Sequence, residues 1–128
     1  MQVQRSYDIE DEVRKALKDY MTVYCRPLPA NYSLPHVLIT QVGGTDQDGQ
    51  IDTSDVVLDA RADNAAEANE TCRSAVAILR RVAAEGKTPL RHVVVNSSGA
   101  WGSDPVHPDL CMYSARISVV SHLETITI

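Results

Sequence analysis

Phenylalanine is absent from the 128 residues, and tryptophan occurs once, at Trp101, beside five tyrosines. A core must then be built from Val, Ile, Leu and Ala, which suits a small sheet covered by slim helices. Cysteine is also scarce. Cys25, Cys72 and Cys111 are odd in number and widely spaced, which excludes a disulfide framework and the paired ligand spacing of a zinc site. No apolar run approaches the roughly 20 residues that span a bilayer. Met1–Arg5 leads into charged residues without the apolar centre of a signal peptide. Production in a reducing cytoplasm, with no membrane partner, is the expectation. Positive charge is thin as well: 12 Lys and Arg stand against 17 Asp and Glu, a net of −5. Arg14-Lys15 and Arg80-Arg81 read as ordinary helix-surface pairs. Phosphate neutralisation supplies most nucleic-acid affinity, so tight DNA binding is not expected.

What is present is regular patterning across a length that fits one domain, residues 1–128. Ile9, Val13, Ala16, Leu17, Tyr20 and Tyr24 recur at steps of three and four, predicting an amphipathic helix over 8–24. Asp8, Glu10, Asp11 and Glu12 crowd its start, where negative charge suits the helix dipole. Three prolines make 26–35 an extended connection. His36–Val42 is rich in β-branched residues and predicts a strand ending at a Gly43-Gly44 turn, followed by a polar loop over 45–50. From Asp52 to Ala62, Val56, Leu58 and Ala60 alternate with Asp55, Asp59 and Arg61, the mark of a half-buried strand.

A second helix is predicted between a cap at Asp63 or Asn64, reinforced by Glu67, and Gly86. Its stripe is Ala65, Ala68, Cys72, Ala75, Val76, Leu79, Val82 and Ala83, with Ile78 at the margin. Leu90–Asn96 reads as a third strand, 97–109 as a loop holding Trp101, and Leu110–His122 as a long last strand. The fold class predicted is α+β: a mainly antiparallel four-stranded sheet with two helices packed on one face. The order is helix-strand-strand-helix-strand-strand.

Candidate chemistry is sparse. His36, His92, His107 and His122 lack the helical pair spacing of a metal site. His107-Pro108-Asp109 matches the chaperone J-domain tripeptide but precedes a strand, not a helix. Gly43–Gly49 lacks the Gly and terminal Glu positions of an EF-hand loop. Ser97-Ser98-Gly99 is not a nucleophile elbow. The three cysteines read as small apolar core residues. No catalytic, cofactor-binding or metal-binding residue is therefore predicted, and the expectation is a protein that is not an enzyme.

Taken in order, the acidic opening helix, the strand His36–Gly44, the segment Asp55-Val-Val-Leu-Asp-Ala-Arg61, the Ala-rich helix from Asp63-Asn-Ala-Ala-Glu-Ala68 and the closing strand Tyr113–Val119 resemble tail-terminator (tail-completion) proteins of long-tailed bacteriophages and prophages. The similarity covers nearly the whole chain and is one of pattern. It implies a structural virion protein made in the host bacterial cytoplasm. It also implies a homo-hexameric ring that caps the tail tube, contacts tail-tube and head-tail connector proteins, and lets genomic DNA pass without tight binding. No catalytic residue and no cofactor are implied. A neighbouring neck subunit (stopper or head-completion) is the first alternative; a small α+β enzyme or ligand-binding module is the rival of a different class. Gly43, Gly44, Asp46, Asp48, Trp101 and Ile78 are the candidate interface residues. The 43–55 segment is expected to be mobile in a lone subunit and to order against a neighbouring ring component, and the 44–55 acidic loop to contribute to an acidic channel lining. The 26–35 segment and the last strand are the expected contact surfaces, since sheet edges offer backbone groups to another chain.

Overall fold

The computed structural model describes residues 1–47, 51–104 and 107–128. The element order is β1 (Gln2–Arg5), α1 (Ile9–Leu17), β2 (Val23–Cys25), β3 (His36–Gln47), β4 (Ile51–Ala62), α2 (Ala65–Glu85), β5 (Leu90–Ser103), β6 (Cys111–His122) and β7 (Glu124–Thr127). Five strands form one sheet in the order β2-β3-β4-β6-β5, with β2 parallel to β3 and the other neighbours antiparallel. β1 and β7 form a separate antiparallel pair joining the two chain ends.

Local chemistry sets the helices. In α1, Asp8 caps the start by accepting from the Asp11 backbone N–H at 3.2 Å, and the acidic first turn follows. In α2, Asn64 Oδ1 accepts from the Glu67 N–H at 2.8 Å. Gly86 closes the helix at φ 71, a left-handed position where a Cβ would be strained. Four small side chains of α2, Ala68, Cys72, Ala75 and Ala83, are buried, so the helix lies close to the sheet. One continuous core joins Ile9, Val13 and Leu17 of α1 and Val76 and Leu79 of α2 to the inward rows of the sheet. Val37 and Ile39, Val56 and Leu58, and Ile117 and Val119 supply those rows. Both helices thus cover the same face.

The four-stranded, mainly antiparallel arrangement is overturned. The sheet has five strands and is mixed, a second two-stranded sheet is present, and the order begins and ends with strands. Three physical causes account for the difference. First, α1 stops at Leu17, with Tyr20 and Met21 N–H groups closing on the Leu17 carbonyl. Val23-Tyr24-Cys25 then pairs in parallel with Val37-Leu38-Ile39, where β-branched and aromatic residues do better than in a helix. Tyr20, placed on the helical stripe by spacing, is 68% exposed. Second, Gly43-Gly44 does not end a strand. β3 passes through it with a bulge between Gln41 and Gly43, and pairing resumes to Gln47 opposite Ile51. Third, β5 continues to Ser103 by absorbing irregularities between Leu90 and His92 and between Val95 and Ala100, with Gly99 at φ 65. Of the segment expected to be mobile, 43–47 pair with 51–55, and Asp52 and Ser54 are buried; 48–50 lie outside the described residues. β6, the expected last strand, is paired on both sides and offers no free edge.

Candidate interaction surfaces

The sheet leaves backbone groups open along β3 beyond β2 and along β5; Gly43, Gly44 and Asp46 lie on the first of these edges and Trp101 on the second. On one side, β2 covers only Val37–Ile39, so β3 from Gln41 onward is itself the edge. There the Gln41 N–H donates to Glu10 Oε2 at 2.8 Å, so α1 caps the edge where β2 ends. Gly43 and Gly44 follow. Gly44 is required by a close approach inside the molecule: a Cβ there would meet the Thr53 carbonyl oxygen at 2.6 Å. Asp46 lies opposite Asp52 in the ladder, and Asp48 falls outside the described residues.

Trp101 sits on the other edge, β5, opposite Tyr113, and is 57% exposed. Its ring stands edge-on to Tyr113 at 5.4 Å. Across the sheet, the row holding Trp101 runs through Tyr113 and Ala60 to Val37, whereas Gly43 shares a row with Asp55, Ser118 and Val94. Gly43-Gly44 and Trp101 are therefore on opposite edges and in different rows. Ile78 is half-buried on α2 and packs against the core. The structure does not gather these residues into one site.

Beside β5 runs a groove that the sequence reading did not anticipate. Arg73, Ala77 and Arg80 of α2 face Ser98 and Gly99 across a cavity of about 350 Å³. A second cavity of about 430 Å³ shares Arg80 and is lined by Ala84, Arg91 and His92–Val95. Arg73, Arg80 and Arg91 are all exposed. Cys72 lines the first cavity; burial pushes its thiol up from the ordinary value, with a backbone hydrogen bond from Gly99 acting the other way. Burial likewise raises the Cys25 thiol, and its Sγ donates to the Glu10 carbonyl at 3.6 Å. Both groups are held as thiols, poor nucleophiles and poor metal ligands.

The face of the sheet away from the helices is polar. Ser114 Oγ donates to Asp59 at 2.6 Å and Ser118 Oγ donates to Asp55 at 2.9 Å, each across the β4–β6 ladder. At one end the 26–28 segment overhangs a cleft of about 790 Å³ lined by Leu38, Asp59, Arg61, Asp104, His107 and Met112 among others. Arg61 and Asp104 form a buried ion pair there. His36, opposite Arg61 in the ladder, is fully buried between the rings of Tyr24 and Tyr32. Burial, first, and the nearby Arg61 guanidinium push the His36 imidazole below its ordinary value; a hydrogen bond to Ser33 opposes them. The neutral ring then donates Nδ1–H to the Ser33 carbonyl at 2.8 Å. Among the described residues, no group of three or more His, Cys, Asp or Glu is placed to hold a metal ion, and no helix is long and apolar enough to cross a membrane.

Sequence signals for these features were weak. Arg61 falls on the polar phase of its strand, which by itself says solvent. Arg73 and Arg80 are seven residues apart, a spacing that puts both on one helix face, but Arg91 joins them only through the sheet. No protein-family model and no curated protein matches this chain.

Proposed function

We propose that this protein is a structural ring subunit of a phage or prophage tail, a tail terminator that closes the tail tube and joins it to the head. The observation that carries this reading is the pair of non-equivalent open edges on one small subunit. A closed ring needs heterologous contacts, in which two different surfaces of each copy meet, and β3 from Gln41 on one side and β5 on the other supply two such surfaces. The resemblance of the sequence pattern to tail terminators adds to it. An overall charge of −5 suits a channel that DNA must traverse, because a basic lumen would hold the phosphates. Partners under this reading are further copies of the chain, the tail-tube protein and the head-tail connector.

The cleft beneath Arg26–Leu28 favours the rival reading, a ligand-binding module. Against it, the Arg61 Nε and Asp104 Oδ2 that line this cleft are already committed to each other. Disrupting the gene in the phage that encodes it tests the proposal: filled heads and tubes should accumulate unjoined, and added purified protein should restore joining. Normal virions in its absence would overturn it.

A further inference from the structure

We propose that the α2–β5 groove receives the β3 edge of a second copy of this chain, extending the sheet from one subunit into the next. This inference rests on the ring reading and names the contact that would build it. Charge is one line of argument. Residues 73–103 carry five cations against one acid, a net of +4, so the rest of the chain carries −9. No described side chain forms an ion pair with Arg73, Arg80 or Arg91. The β3 edge is flanked by the acidic first turn of α1, where Asp8, Glu10, Asp11 and Glu12 outnumber Arg14 and Lys15. Opposite signs on the two edges favour head-to-tail contact and disfavour like edges meeting.

The geometry is a second, independent line. The two helices cover the same face, α1 touching the β3 side and α2 the β5 side. A copy docked edge to edge thus continues both layers at once, which an unrelated strand would not do. β3 and β5 run in opposite directions within the sheet, so β3 of a copy that keeps the strand direction meets β5 as an antiparallel neighbour. Val94, 41% exposed, ends the row that begins at Gly43, and Val42, 53% exposed, is the bulge residue beside Gly43 on the opposite edge. Docking brings these two apolar side chains together out of water. Nucleic acid is the less fitting occupant, because it pairs with neither the strand backbone nor the valines, and the −9 elsewhere repels it.

Cysteine cross-linking tests this directly. In a background with Cys25, Cys72 and Cys111 replaced by alanine, the Val42→Cys, Val94→Cys double variant is oxidised mildly and resolved by mass. The expected result is a ladder of covalent multimers, whereas an equimolar mixture of the two single variants stops at dimers and either single variant alone stays monomeric. In the native background, Arg73→Glu, Arg80→Glu, Arg91→Glu should weaken self-association by about tenfold or more in sedimentation. Dimers from one single variant alone would mean an isologous contact and overturn the proposal. Assembly that survives the three charge reversals and yields no covalent ladder from the cysteine double variant would place the ring contact elsewhere, leaving the ring itself standing. Wild type that stays monomeric at high concentration overturns this contact, while tube capping tests the ring separately. Duplex DNA binding that is lost with the three arginines would reassign the groove to nucleic acid.

Discussion

Arg61 and Asp104, 43 positions apart, meet with Nε 2.6 Å from Oδ2, and both side chains are about nine-tenths buried or more. The pair ties the segment after β5 to the centre of the sheet. Asp104 Oδ1 also accepts from the His107 N–H at 3.3 Å. Arg61 Nη1 is buried with no partner among the described atoms, so the guanidinium depends heavily on this one carboxylate.

Removing that carboxylate leaves a buried cation without compensation. Asp104→Ala should destabilise the fold by about 3 kcal/mol, whereas the double change Arg61→Met, Asp104→Leu should lose much less. Urea unfolding of these two variants, with the single changes Arg61→Met and Asp104→Leu beside them, measures it. Additive losses would mean that the pair is not energetically coupled.

Gly43 and Gly44 separate by substitution. An alanine Cβ at Gly44 would need Thr53 to move, but at Gly43 the nearest atom is the Asp55 carboxylate at 3.8 Å. Gly44→Ala should cost about 2 kcal/mol and Gly43→Ala less than about 1 kcal/mol. Equal effects would remove the structural reason given for Gly44.

This glycine also shows where sequence reasoning stops. Gly-Gly after a β-branched run reads locally as a turn, and only the neighbouring Thr53 backbone, nine residues on, reveals why glycine sits inside a strand. By contrast α2 was legible because Asn64, Glu67 and Gly86 act within a turn of themselves. The inward rows of β4 and β6 were legible because alternation is a local property of the pleat. β1 and β7 were not, since four-residue strands pairing Gln2 with Thr127 leave no local mark. The basic groove was hidden for the same reason: Arg91 reaches Arg80 through tertiary structure alone.

His36 makes stability depend on pH. Its folded value lies below the ordinary 6.5, so below that pH the unfolded chain binds the proton more readily. Stability is full above pH 6.5, falls as pH drops below it, and levels off once the folded value is passed. In NMR titration the His36 Cε1 proton should show a midpoint below 6.5. A midpoint at or above 6.5 would contradict the burial account.

Trp101 reports on the β5 edge. Exposed, and resting on Tyr113 by one ring edge, it should contribute only about 1 kcal/mol through that contact. Trp101→Ala should shift the urea midpoint slightly. A loss above about 3 kcal/mol would make Trp101 a core residue and not a surface one.

The ring reading meets its most direct test when purified protein is mixed with isolated tail tubes and, separately, with tailless heads, and both are imaged by negative stain. The account predicts a closed ring at one end of the tubes, and capped tubes that then join heads. Binding to heads with no effect on tubes would make it a neck subunit instead, and binding to neither would contradict the account.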